Sequence, residues 1–418
     1  MYSIWDADGR EAASAVRPAD ETKVSIYVPD AVNWEIDAPY LYTVTAVLQR
    51  RNEAYDEVSA RVGVRSFSCD PDKGFIINGV ETPLRGVSRH QDRLYKGNAL
   101  TREEHYEDAK IIKELGANTI RLAHYQHSQD FYDACDELGF IVWAEIPFIS
   151  SMNQDPAAHD NCISQLKELV IQNYNHPSIC FWGISNEILV GGISEKLIEN
   201  HRELNTLCKK LDPTRLTTIA HVTMTPIDSP MHGITDVESY NHYFGWYGGR
   251  MEDNGPWFDH YHEVHPDICV GVSEYGCEGI ITYHGPNPAC KDYSEEYQAL
   301  YHEHMAKVLE ERRWLWSSHV WNMFDFGCAA RDEGEWQDGT IKDLSPWIAK
   351  QRRTVIMFIR PIGAKNRWSI YAAGAMHSGQ GRQQKYGYIP TALPWHYISM
   401  GIWWKRSPPI KYLSSRYR

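Results

Sequence analysis

SICFWGISNE, residues 178–187, is a short run of apolar and small residues that closes on two polar ones, Asn186 and Glu187. A run of this length reads as a buried strand when amphipathic helical segments flank it on both sides. Such segments are present, at roughly 157–174 before it and 194–210 after it. The same alternation extends outward. Upstream lie FIVWAEIP (140–147), NTIRLAHY (118–125) and PLRGVSR (83–89); downstream lie RLTTIAH (215–221), ITDVESYN (234–241), ICVGVSEYG (268–276) and SSHVWNMFDF (317–326). The helix after PLRGVSR opens on TREE (101–104), whose Thr and Glu are spaced as a capping box, and stops at Gly116. Another runs from Ser128 to Leu138. Eight short runs alternating with helices over about 245 residues predict an α/β fold, a (β/α)8 TIM barrel.

Residues 1 to about 80 are patterned differently. VSIYVP (24–29), PYLYTVTAVLQ (39–49) and VSARVGVRSF (58–67), separated by polar turns, predict a small antiparallel β module. A chain of 418 residues accommodates a barrel and such a module. The net charge of −13 argues against nucleic acid or anionic membrane as partners, since both select cationic surface. Neutral small molecules fit better, and 15 Trp and 25 Tyr supply flat surfaces of the kind that stack on sugars, although core packing is their commoner use. Nine scattered cysteines without a CxxC spacing predict reduced thiols and a cytoplasmic location. The first residues have no basic start followed by an apolar stretch, and no apolar run reaches the length of a membrane span.

A barrel builds its site from the residues that end its strands. That filter selects Asn186-Glu187 on the fourth strand, Glu274 on the seventh and His124-Tyr125 on the second. Two carboxylates facing one cleft match the demand of glycoside hydrolysis for one protonated and one ionised carboxyl. The pattern equally allows either Glu to be a buried ion-pair partner of Arg85 or Arg121.

WGISNE (182–187) and SEYG (273–276), in that order, resemble the two signatures of glycoside hydrolase family 2, which includes β-galactosidases and β-glucuronidases. RGVSRHQD (85–92), NTIRLAHY, YNHYFGWYGG (240–249) and HVWNMFDF (319–326) are similar to other family segments, in the same order. The resemblance implies an immunoglobulin-like β-sandwich module over 1–78 and a catalytic barrel over 79–334. It implies a retaining β-glycosidase that works through a covalent glycosyl-enzyme, with Glu187 as acid/base and Glu274 as nucleophile. Asn186 would bond the sugar 2-hydroxyl, and Tyr243 and Arg121 would hold the nucleophile. His90 and His124 would bind sugar hydroxyls. Trp321 would form a platform under the sugar, with Trp246 as the weaker aromatic candidate. YNHYFGWYGG with NGPWFDHYHEVHP (254–266) is more similar to β-galactosidases, so a terminal β-D-galactoside is the expected substrate; a β-glucuronide is the alternative, and a catalytically dead carbohydrate-binding fragment a second one. Homo-oligomers are compatible with the reading.

The resemblance also has gaps. After strand three, AEIPFISSMN (144–153) offers Glu145 but no histidine, so the metal site of some family members is not expected, and no metal or cofactor is predicted. A metal-dependent barrel hydrolase would need more ligands than His90 and His124. The family's leading jelly-roll domain has no counterpart, which predicts a fragment missing its front. From Glu335 to Arg418 the chain carries 14 Lys+Arg against 3 Asp+Glu, and the Asn-x-Lys element with which glucuronidases bind the substrate carboxylate is not recognisable. This atypical basic tail, 335–418, is expected to be non-native, the product of a reading-frame slip near residue 335.

Overall fold

The computed structural model describes residues 1–328 except Thr22, Asn52, Ile281 and Thr282, together with the backbone of 329–333, Trp336–Gly339 and Tyr397–Met400. The described chain forms two units. One holds Met1–Val32, Leu41–Val64 and the strand Tyr397–Met400; the other holds Asn33–Tyr40 and the described residues from Arg65 to Gly339. The expected tail lies outside the described residues apart from those two backbone strands. Among the described residues no helix is long and apolar enough to cross a membrane.

The first unit contains β1 (Tyr2–Trp5), β2 (Glu11–Ala15), β3 (Val24–Tyr27), β4 (Tyr42–Arg50) and β5 (Glu53–Val62). Four of them make an antiparallel sheet in the order β2-β1-β4-β5, with Tyr42 opposite Val62 and Ile4 opposite Val44. Tyr42, Val44 and Ala46 are buried while Thr43, Thr45 and Val47 between them are partly open, the period-two alternation of a one-sided sheet. The sequence reading anticipates β3 and β4 and starts β5 five residues late. It misses β1 and β2, which carry too few β-branched residues to stand out.

In the second unit a small sheet of β6 (Phe67–Asp70), β7 (Gly74–Ile77) and β8 (Val80–Glu81) precedes the barrel. The barrel strands are β9 (Leu84–Arg89), β10 (Thr119–Leu122), β11 (Ile141–Glu145), β12 (Ile179–Asn186), β13 (Leu216–Val222), β14 (Glu238–Asn241), β15 (Val270–Tyr275) and β16 (Ser317–Val320). All eight pair in parallel, and β16 closes on β9 with Ser317 beside Leu84. Almost every residue in them is buried, as expected of parallel strands covered on both faces. Trp143, Phe181 and Trp316 pack ring against ring, with centroids 5.8 Å apart for Trp143–Trp316 and 4.3 Å for Phe181–Trp316.

The helices are α1 (Arg102–Leu115), α2 (Gln129–Leu138), α3 (Pro156–Gln172), α4 (Glu195–Leu211), α5 (Asn254–Val264) and α6 (Glu295–Glu311). The predicted capping box at Thr101 and Glu104 is present, and Gly116 ends α1 with a left-handed φ of 92°. Ser128, Asp155, Ser194 and Ser294 cap the next starts by accepting backbone N–H groups. A segment ahead of the barrel is tied to it by Trp34, fully buried, whose Nε1 donates to Asp136 O at 2.9 Å.

Candidate active site

β12 ends on Asn186, and the chain turns at Glu187 with a left-handed φ of 48° before the 3-10 turn Ile188–Gly191. Such a backbone costs roughly 1–3 kcal/mol for a residue with a Cβ, so its surroundings must hold it. They do so through the backbone: the Glu187 N–H donates to Ala220 O (2.8 Å), and the Val190 N–H closes the turn on Glu187 O (3.0 Å). Gly191 lets that turn touch the loop after β11. A Cβ there would lie 2.3 Å from Ser151 Cβ, and the Gly191 N–H donates to Ser150 O at 2.7 Å. Glu187 is thereby held in a half-buried position at the mouth of the barrel.

Glu274, the fifth residue of β15, is 5% exposed. Arg121 Nη1 donates to its Oε1 and the Tyr243 hydroxyl to its Oε2, both at 2.7 Å. Arg121, on β10, is fully buried and joins four groups. It donates from Nε to Glu145 Oε2 (3.0 Å), from Nη2 to Glu145 Oε1 (3.1 Å) and Asn186 Oδ1 (2.7 Å), and from Nη1 to Ser273 O (3.3 Å). Its guanidinium carbon lies 4.8 Å from the Trp143 ring centroid. Burial works against its charge, but Glu145 and Glu274 outweigh that and raise its pKa. Glu145 shows the mirror case: burial favours its neutral form, yet Arg121 and His124 hold it below its ordinary value. Arg121 thus balances two carboxylates with one charge, a geometry only a planar fork of five donors can serve.

The Glu187 carboxyl is pushed up, first by burial and then by the charge of Glu274. Asn241 pulls the other way, donating from Nδ2 to Glu187 Oε1 at 3.0 Å and to Asn186 Oδ1 at 3.1 Å. Two acceptor positions of Asn186 Oδ1 are therefore filled, and its own Nδ2 is the atom left to donate to a ligand hydroxyl.

His124 donates from Nδ1 to Glu145 Oε1 at 2.7 Å, and its ring stacks on Trp321 at 4.8 Å with 15° between planes. His90 lies with its Nδ1 3.2 Å from the Tyr125 hydroxyl and its ring on Phe326 at 4.3 Å. Burial, then His124 and Arg121, push its pKa well below the usual value, which keeps it neutral. Trp321, 6% exposed, packs with Ala123, Tyr243 and Phe326 in a small apolar group. Trp246 belongs to the main core, against Tyr293 and Tyr297.

The structure brings Glu187, Glu274, Asn186, Arg121, Tyr243, His124, His90 and Trp321 into one continuous network of bonds and ring contacts. The ion-pair reading holds for Glu274, whose partner is Arg121; Arg85 instead donates to the carbonyls of Leu84 and Leu309. Two further members are Asn241, which the sequence reading does not name, and Glu145, which it names only as a carboxylate lacking a histidine to complete a metal site. Both are polar residues that end barrel strands, so the same filter was sufficient to find them. Gly183, beside Glu145 in the register, makes room: a Cβ there would sit 2.3 Å from Trp143 Nε1 and 2.6 Å from Glu145 Cβ.

Two groups of described residues have ligand atoms close enough for a cation, His221 with His232 and Glu238, and Asp133 with Asp136 and His176. Glu238 Oε2 already accepts from His232 Nδ1 (2.7 Å), the Tyr261 hydroxyl (3.0 Å) and His221 Nε2 (3.2 Å), so this cluster satisfies itself with protons. Glu145, the carboxylate after strand three, is occupied by Arg121 and His124.

Comparison with known proteins gives the family of the chain. Residues 71–346 match the family described as glycosyl hydrolases family 2, TIM barrel domain, and residues 3–65 match glycosyl hydrolases family 2. The barrel match therefore extends past Glu335, where the charge balance changes. A β-glucuronidase of Bacteroides fragilis is 38% identical over 348 residues, 80% of this chain and 49% of that protein. A β-galactosidase of Thermoanaerobacter pseudethanolicus is 36% identical over 227 residues, 52% of this chain and 29% of that protein. Among solved structures, an FMN-binding β-glucuronidase from Facaelibacterium prausnitzii L2-6 is 67% identical with a TM-score of 0.86, covering 87% of this chain and 57% of that one. The chain spans about half the length of the curated β-glucuronidase from Bacteroides fragilis.

Proposed function

The chain belongs to glycosyl hydrolases family 2, and from that premise we propose that it carries the catalytic site of a retaining β-glycosidase acting on β-D-glucuronides. The observation that carries the reaction type is the unequal treatment of the two carboxyls. Arg121 and Tyr243 donate to Glu274, while burial and the Glu274 charge favour the protonated form of Glu187. In the first step Glu187 gives its proton to the glycosidic oxygen as Glu274 attacks the anomeric carbon; the C1–O bond breaks and a glycosyl ester forms. Neutralising Glu274 removes the charge that raised the Glu187 pKa. Glu187, now ionised, takes a proton from water as that water attacks C1, and both carboxyls return to their first states. Every step is redox-neutral.

The relatives support a glucuronide above the galactoside expected from YNHYFGWYGG, because β-glucuronidases match more of the chain. The Asn-x-Lys element whose absence favoured galactose falls on a part of the sequence outside the described residues. Assay against nitrophenyl β-D-glucuronide, β-D-galactoside and β-D-mannoside tests the substrate. The largest kcat/KM is expected for the glucuronide; a galactoside turned over as well or better contradicts the assignment. Proton NMR of the first-formed product tests the mechanism, with the β-anomer expected and the α-anomer contradicting it.

A further inference from the structure

Ser273, on β15 immediately before Glu274, is fully buried, and its hydroxyl donates to Asn241 Oδ1 at 2.7 Å. Consecutive side chains of a regular strand take opposite faces, so the neighbour of a cleft-facing Glu274 should point away from the cleft. The register accounts for the exception. Along β14 and β15, Tyr240 stands beside Val272 and Asn241 beside Glu274, which leaves Ser273 as the extra residue of a β-bulge. A bulge re-aims side chains, and this one brings the Ser273 hydroxyl to the same Asn241 that Glu274 faces along the ladder.

Asn241 offers one acceptor and two donor hydrogens, and which end faces which neighbour has chemical consequences. Arg121 Nη2 donates to Asn186 Oδ1 at 2.7 Å, so Asn186 presents an acceptor to Asn241, whose Nδ2 bonds it at 3.1 Å. From the other side the Ser273 hydroxyl holds Oδ1 as the acceptor. Nδ2 therefore also faces Glu187 Oε1, at 3.0 Å. A protonated carboxyl has a single O–H. With Oε1 accepting from Asn241, that proton sits on Oε2. A reversed amide would instead turn Oδ1 toward Oε1 and accept the O–H there, holding the proton inside the protein.

We propose that Ser273 is a positioning residue for acid catalysis: its hydroxyl keeps the Asn241 amide in the orientation that leaves the Glu187 proton on Oε2, for transfer to the glycosidic oxygen. In this role it depends on the acid/base assignment proposed above for Glu187. Ser273 closes a ring that runs by hydrogen bonds from Glu274 through Arg121, Asn186 and Asn241 to Ser273, and back to Glu274 along the chain. The bulge thus ties the orientation of the acid to the strand that carries the nucleophile.

Ser273→Ala in the full chain removes the donor and lets the amide reverse when Glu187 is protonated. kcat/KM should fall roughly three- to tenfold, the worth of one hydrogen bond, on a methyl glycoside, whose leaving group needs the proton. On the nitrophenyl glycoside it should change by less than about twofold, and Ser273→Thr, which keeps the hydroxyl, should recover most of the loss. Losing the Nδ2 bond also disfavours the ionised carboxyl, so the Glu187 pKa should rise by roughly half a unit. Glu274, which raises that pKa, and His124 and Arg121, which lower it, remain in the variant. Infrared difference titration of the carboxyl stretch reads the shift without turnover, with Glu187→Gln identifying the band. Equal losses on the two glycosides, a Ser273→Thr as impaired as Ser273→Ala, or a Glu187 pKa unchanged or lowered overturns the role of Ser273. Failure of the acid assignment shows separately, as a Glu187→Gln loss that is equal on both glycosides; the infrared titration then still decides whether Ser273 orients Asn241. If Ser273→Ala fails to fold by circular dichroism, Ser273→Cys, a near-isostere with a weak S–H donor, takes its place with the same signs at smaller size.

Discussion

The ends of β12 and β15 carry the same side chain in opposite surroundings. Glu274 remains within its strand, and both of its oxygens receive donors, one of them the cationic Arg121 that Glu145 steadies from behind. Glu187 sits one residue beyond its strand, in a left-handed turn, with a single amide donor from Asn241. The first environment supplies two donors, one of them cationic; the second is buried and faces the Glu274 charge, and it favours a proton on Glu187. Two identical residues acquire different chemistry from what the neighbouring strands supply.

Removing either carboxylate breaks this contrast most severely. Glu274→Gln should lower kcat on the order of 10⁴-fold or more, as expected when a covalent nucleophile is lost, with thermal stability measured alongside to exclude unfolding. Glu187→Gln should cost about 10²- to 10⁴-fold, the range of general acid–base catalysis. That loss should be smaller for a nitrophenyl glycoside than for one with a poor leaving group, because only the latter needs the proton. Equal losses on the two substrates would show that Glu187 is not the acid.

Glu145→Gln sharpens the comparison from behind. The amide has one acceptor oxygen where the carboxylate had two, so Arg121 and His124 cannot both keep their bonds. kcat/KM should fall roughly tenfold to a hundredfold, the worth of a charge-assisted hydrogen bond. A change confined to thermal stability would make Glu145 a packing residue only.

The smallest effect is a shift in pH. A general acid must be protonated, so activity falls as pH rises through its pKa. Asn241 stabilises the charged form of Glu187, and Asn241→Ala should raise that pKa further. The alkaline limb of kcat/KM should move up by roughly half to one pH unit. Movement downward would mean that Asn241 does not bond the ionised carboxyl.

Much of this was legible in the sequence, for definite reasons. Buried parallel strands read as apolar runs, so all eight were countable, and the Thr101–Glu104 box and Gly116 mark the ends of α1. The helix α5 was not, because Gly255, Pro256 and five aromatic or His residues in NGPWFDHYHEV mask a helical period. Glu187 and Glu274 stand out as polar residues closing strands. Glu145 and Asn241 satisfy the same rule, but their importance lies in partners from other strands, Arg121 and His124 for one and Glu187 for the other, and such pairings form only when the barrel closes.

The central claim, that these environments make Glu274 the nucleophile and Glu187 the acid/base, is tested most directly by trapping the covalent intermediate. A 2-deoxy-2-fluoro-β-D-glucuronyl fluoride slows hydrolysis of the glycosyl ester enough for mass spectrometry of the digested protein. The account predicts one label, on the peptide containing Glu274; a label on Glu187 contradicts it.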